Sequence, residues 1–147
     1  MMRNTETTTP QPTQFAELVK LHMQGRRFLD QDREMKLLEE GVSRYNLTLA
    51  DAQGALRSAA QEAGVASQSE LDASTLQLIK TLSNRQGGLG RTDFDKTAAF
   101  YRGRAGAAVT EEEARTRVKR LMQENDVQAK RSGLLVRTRR WFRAIEA

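Results

Sequence analysis

Two stretches of this chain are variants of one pattern. LTLADAQGALRSAAQEAGV, residues 47 to 65, returns 62 positions later as VTEEEARTRVKRLMQENDV, residues 109 to 127. Each copy opens on an apolar residue and a threonine placed to cap a helix, Thr48 or Thr110, with an acid three positions on, Asp51 or Glu113. In the second copy Thr110 and Glu113 make a full capping box. The same offset matches Gly25 with Gly87, Leu38 with Phe100 and Gly41 with Gly103. Upstream it slips to 61, where Phe15, Leu18 and Leu21 meet Leu76, Ile79 and Leu82. A repeat of this length predicts two three-helix units, each too small to bury a generous core alone, joined in one compact helical domain.

Composition agrees with an all-α fold, since 147 residues include only 2 Pro and are 29% charged, with Ala, Leu, Glu, Arg and Gln abundant. Residues 1 to 13 lack apolar periodicity and read as a disordered tail, with the helical domain from 14 to 147. A first helix carries Phe15, Leu18, Val19 and Leu21. A second, from Asp30 to Tyr45, is expected to turn Met35, Leu37, Leu38 and Val42 inward and its acids outward. Asn46 suits a left-handed exit, and Gly64 ends the third helix. Residues 67 to 72 read as a linker between units of about 14 to 65 and 75 to 127. Leu76, Ile79 and Leu82 mark a fourth helix, and Phe94, Ala98, Phe100 and Tyr101 a fifth. A last helix, about Leu134 to Ile145, places Leu134, Trp141, Phe142 and Ile145 on one face, so the single tryptophan is expected to dock on the body.

Charge is uneven. Residues 115 to 147 hold ten Lys or Arg against three acids, a net +7, which leaves −2 for the rest of a chain of net +5. Arg137, Arg139, Arg140, Trp141 and Arg143, with Lys130 and Arg131, are the candidate partner-binding residues. They suit an acidic protein partner. Clustered Arg beside aromatics equally fits nucleic acid, through phosphate neutralisation and base stacking, or peripheral contact with anionic lipid. A solvated helix whose Arg stems cover the core is the structural alternative. Arg115, Arg117, Lys119 and Arg120 make the second copy look built for meeting something acidic, where the first has small packing residues. Oligomeric state is not readable.

Enzyme motifs are missing. There is no Cys, no GxSxG, no phosphate-cradling glycine loop and no dinucleotide fingerprint. The one histidine, His22, reads as structural. Asp30, Asp32 and Glu34 begin like a calcium loop, but that loop needs glycine and a bidentate acid where Met35 and Gly41 stand. Asp93 and Asp95 repeat the acids, also without the glycine. These five are the only metal candidates, and an acid-rich helix start is the favoured reading. No cofactor is expected. With no apolar run of signal-peptide or membrane-spanning length, a cytoplasmic protein is expected.

The Gly-containing turn, the acid-rich start at Asp30, Asp32, Arg33 and Glu34, the helix through Leu37 and Leu38, and L-T-x-x-D-A at 47 to 52 together resemble the TerB-like helical domain of tellurite resistance. That resemblance spans residues 14 to 127. It implies an all-α fold with two similar halves and an association with stress-response, chaperone-linked or membrane-linked complexes. The family's Ala-x-x-Asp-Gly turn is not matched, because His22-Met-Gln-Gly25 and Ser83-Asn-Arg-Gln-Gly87 carry no Asp before the glycine. Its metal-binding acids therefore map only in part, to Asp30, Asp32 and Glu34 or to Asp93 and Asp95. The expected function is a non-enzymatic protein-interaction or adaptor module, with nucleic-acid binding as the alternative.

Overall fold

The computed structural model describes residues 11 to 84, 88 to 131 and 139 to 146. The fold is all-α. Among the described residues there are seven α-helices and a single two-residue parallel strand pair. The chain divides into two compact units, residues 1 to 67 and 68 to 147.

Unit 1 starts with α1, Gln11–Met23, followed by β1, Phe28–Leu29, then α2, Gln31–Ser43, α3, Leu49–Ala63, and β2, Ala66–Ser67. Both later helices are capped as their sequences demand: Asp30 accepts from the Arg33 amide at 2.9 Å and Thr48 from the Asp51 amide at 3.1 Å. Asn46 leaves α2 at φ 56°, which its short polar side chain tolerates, and Gly64 closes α3 in the left-handed region. Val65 then donates back to Ala60 and Ala66 to Arg27, which lays β2 parallel to β1. Helix α3 packs on both α1 and α2.

The core of unit 1 joins Phe15, Val19 and Met23 of α1 to Leu37 of α2 and Ala52, Leu56, Ala59 and Ala60 of α3. Its tightest point is Gly41. A β-carbon there would lie 2.8 Å from the Phe15 ring tip and 3.1 Å from the Ala52 methyl, so the ring fills the space a side chain would need. Gly103, matched to Gly41 in sequence, faces open space instead.

This seat also corrects the expected face of α2. Glu34, Leu37 and Gly41 are buried, while Met35 is 51% and Val42 is 42% exposed. Hydrophobicity alone favoured Met35 and Val42, but α2 packs on α3 and seats Gly41 against the Phe15 ring and the Ala52 methyl, which turns the Glu34, Leu37 and Gly41 side inward. Leu21, expected in the stripe of α1, is likewise 62% exposed.

Unit 2 begins with α4, Gln68–Asn84, directly after β2. The stretch expected as a linker is therefore the first turn of a helix. Next come α5, Arg91–Ala105, a 3-10 turn at Gly106–Ala108, α6, Glu111–Glu124, and α7, Arg140–Arg143. Thr110 and Glu113 form the capping box at the head of α6. At its end Asp126 turns at φ 55° and Val127 donates to Met122. Leu89 and Ala129 then pair as a parallel bridge, with Leu89 donating to Gln128 and Lys130 to Leu89. Ile79, Leu89, Phe94, Ala98, Val118, Met122 and Ala129 make the core of unit 2.

In the third helix of each unit the buried residues keep the sequence offset of 62, with Ala52 and Ala114, Leu56 and Val118, and Ala60 and Met122 all inside. In the first two helices and the extended residues between them burial aligns better at 60, where Phe15 and Val19 correspond to Thr75 and Ile79, Leu29 to Leu89, and Gly41 to Tyr101.

Candidate functional site

The basic residues of α6 face inward more than their charge suggests. Ala114, Val118 and Met122 form its buried stripe, and long cationic stems flank it. Arg115 pairs with Asp95 at 2.7 Å and lies over the Phe94 ring, 5.3 Å from its centroid. Arg117 donates to the Tyr101 hydroxyl at 3.1 Å. Lys119 is only 8% exposed. Arg120 alone of the four is exposed, so the expectation that α6 presents a basic face for an acidic contact is corrected: Arg115, Arg117 and Lys119 are engaged within the unit.

Tyr101 ties three helices of unit 2 together. Its buried ring rises from α5, its hydroxyl donates to Asp72 of α4 at 2.8 Å, and Arg117 of α6 donates to that hydroxyl. Burial pushes the phenol well above its ordinary range, so it stays a neutral donor. Burial also raises the Asp72 carboxyl above 3.8, outweighing the Tyr101 hydrogen bond and the Arg117 charge, which pull it down. A carboxyl held above its unfolded value contributes stability that is complete below that value and lost as pH rises through the folded one. Asp72→Asn keeps an acceptor for Tyr101 without the charge. Its stability relative to the wild type should therefore improve as pH rises from about 3 to 7 in urea titrations. A constant difference across that range would show that Asp72 ionises as freely in the fold as in the unfolded chain.

The C-terminal segment closes on the same unit. Trp141, Phe142 and Ile145 pack against its core, and the Trp141 and Phe142 rings meet Phe94 edge-on at centroid distances of 5.3 and 6.4 Å. The expected docking of the single tryptophan is what the structure shows. Three polar hooks hold the segment, and each ends on a backbone carbonyl. Trp141 Nε1 donates to Lys130 at 3.0 Å and Arg139 Nε to Ala129 at 2.6 Å. Lys119 Nζ donates to both Phe142 and Ile145 and lies 4.8 Å from the Phe142 ring centroid.

The candidate residues therefore divide. Trp141 is half-buried as an anchor, Lys130 is half-buried with its stem over Gly88, and Arg139 is exposed but tethered by Nε. Arg131, Arg140 and Arg143 are exposed. Arg137 lies outside the described residues, as does the first part of the expected last helix. Lys119 was not among the candidates, although its place beside Val118 in the stripe was the signal that could have marked it as inward.

Of the acids weighed for metal, Asp30 caps α2, Asp32 is exposed, Glu34 is buried, Asp93 is half-buried and Asp95 is paired with Arg115. Among the described residues no group of three or more His, Cys, Asp or Glu could hold a metal ion. His22 is exposed. An open groove of about 750 Å³ runs along α5 and α6 of unit 2, lined by Asp95, Ala98, Arg102, Gly103, Glu111 and Arg115 among others. The chain matches no family model, no curated protein and no solved structure. Among the described residues no helix is long and apolar enough to cross a membrane.

Proposed function

We propose that this chain is a non-enzymatic protein-interaction module that takes an acidic protein partner on the basic C-terminal segment of unit 2. The observation that carries the reading is the division within that segment: aromatic residues anchor it while Arg131, Arg140 and Arg143 face solvent. Among the described residues Arg120, Arg131 and Arg143 form no ion pair. Guanidiniums held on an anchored frame have less freedom to lose on binding than those of a loose tail. The two units are, on this reading, variants of one helical building block, of which the second has gained the basic extension. The TerB-like resemblance would place such a module in stress-response or chaperone-linked assemblies of the cytoplasm.

Nucleic-acid binding is the second reading, favoured by the charge of unit 2. Residues 68 to 147 hold 16 Lys or Arg and 10 Asp or Glu, a net +6 against −1 for residues 1 to 67. Salt separates the two. Replacing Arg131, Arg140 and Arg143 together by Gln should abolish capture of an acidic protein by the full chain while leaving its circular dichroism unchanged. Tight binding to a mixed-sequence oligonucleotide, with affinity falling by about 0.9 log units per log unit of salt for each phosphate contacted, would overturn the first reading in favour of the second.

A further inference from the structure

Four large apolar side chains stay exposed among the described residues, Leu21, Met35, Val42 and Leu49, and three of them belong to one face of unit 1. Met35, the half-buried Leu38 and Val42 follow one another along α2 at steps of three and four residues, the spacing that lines side chains up on one side of a helix. Leu49 opens α3 just after Leu47, whose amide donates to the Gly41 carbonyl and so brings the start of α3 to the end of α2. Apolar side chains gathered on one exposed face mark a contact surface, whereas single ones scattered over a protein do not.

Unit 2 gives the same face the opposite relief. At the offsets that match the two units, 60 along α2 and α5 and 62 along α3 and α6, Met35 corresponds to Asp95, Leu38 to Ala98, Val42 to Arg102 and Leu49 to Glu111. All four counterparts line the open groove of about 750 Å³. The face is therefore raised in apolar side chains on unit 1 and hollow on unit 2. Small residues line the hollow, Ala98, Gly103 and Ala107 among them, and a β-carbon at Gly103 would meet nothing within 4 Å.

Shape and charge together say what covers the raised face. Two raised faces brought together would meet bulk to bulk, and would bring the exposed acids Asp32 and Glu39, one turn to either side of Met35, towards their own copies. A raised face brought to the hollow meets small residues instead, where flexible Met35 can fill irregular space. It also meets a lining that includes the exposed Arg102, and it sets the unit of net −1 against the unit of net +6. We infer that the Met35, Leu38, Val42 and Leu49 face of one copy docks in the groove on α5 and α6 of a second copy, so that the chain associates with itself head to tail. The two surfaces differ, so a joined pair still offers a raised face at one end and a groove at the other. The contact is separate from the basic C-terminal segment and does not depend on what that segment binds.

Sedimentation of the full chain over a range of concentrations tests this. The mass of the wild type should rise with concentration. Met35→Gln with Val42→Gln and Leu49→Gln should weaken the association by on the order of tenfold or more, and so should Gly103→Leu, which fills the groove. Gly103 lies within α5 and its added side chain has room, so this variant keeps the fold and remains informative even if the triple one does not fold. Circular dichroism checks both. The mixture of the two variants decides the arrangement. Gly103→Leu keeps its raised face and the triple variant keeps its groove, so equal amounts should form a dimer of one copy of each, and nothing larger, at concentrations where neither associates alone. A wild type that stays a single chain up to about 1 mM overturns the inference. So does a Gly103→Leu chain that associates as the wild type does, which would join raised face to raised face. A mixture of the folded variants that stays monomeric overturns it as well.

Discussion

Phe94→Ala should cost unit 2 about 3 to 5 kcal/mol, the usual loss for a fully buried aromatic ring cut to a methyl. Phe94 is 0% exposed, and its ring is shared by three neighbours: Arg115 over one face and Trp141 and Phe142 edge-on. The substitution therefore opens a cavity and removes the floor on which the C-terminal segment rests. Two measurements should move together. Urea unfolding of the helical signal should shift to lower denaturant, and the emission of Trp141, the sole tryptophan, should move to the red as the ring is released to water. A loss of stability with unchanged emission would show that the polar hooks of the segment hold Trp141 in place without the Phe94 ring.

Phe15→Ala should be as costly for unit 1, again about 3 to 5 kcal/mol, because the ring that fills the hollow over Gly41 has no substitute. The complementary change, Gly41→Leu, should also destabilise the unit, by overpacking: even its first carbon would stand 2.8 Å from the Phe15 ring tip. Circular dichroism against urea reads both. Combining Phe15→Ala with Gly41→Leu refills part of the volume, so the double variant should cost less than the sum of the two, since residues in contact do not act independently. Strict additivity would mean that ring and glycine do not share one space.

The sequence was most legible where the physics is local. Thr48, Asn46 and the Thr110 to Glu113 box satisfy backbone groups within a few residues of themselves, so their roles could be read before any packing was known. Trp141 was legible for another reason: one large ring has few ways to stay out of the interior in a chain this polar. The rotation of α2 was not legible, because it depends on a ring arriving from another helix at a glycine, and no hydrophobicity pattern contains that approach. Residues 67 to 72 misled for a similar reason: polar residues that suit a linker suit the first turn of α4 equally well.

The basic residues of α6 failed as surface markers because charge says nothing about direction. A lysine stem is long enough to run through apolar surroundings and deliver its ammonium to carbonyls contributed 23 and 26 residues later. Arg115 and Arg117 reach Asp95 and Tyr101 in the same way. The exposed arginines were legible as a cluster, but that Arg139 is the tethered one depended on the Ala129 carbonyl, which accepts from its Nε.

The rings at the centres of the two units arrive from opposite directions. In unit 1 Phe15 comes from the first helix onto a glycine of the second; in unit 2 Tyr101 comes from the second helix and reaches the first at Asp72. The two positions should consequently differ in how freely they can be exchanged. Phe15 is held by shape and by the Tyr45 ring 5.6 Å away, with no polar atom of its own, so Leu or Met should recover part of what alanine loses there. Tyr101 is held by shape and by its oxygen, so even phenylalanine, the closest shape available, would leave Asp72 and Arg117 facing each other with nothing between them to share.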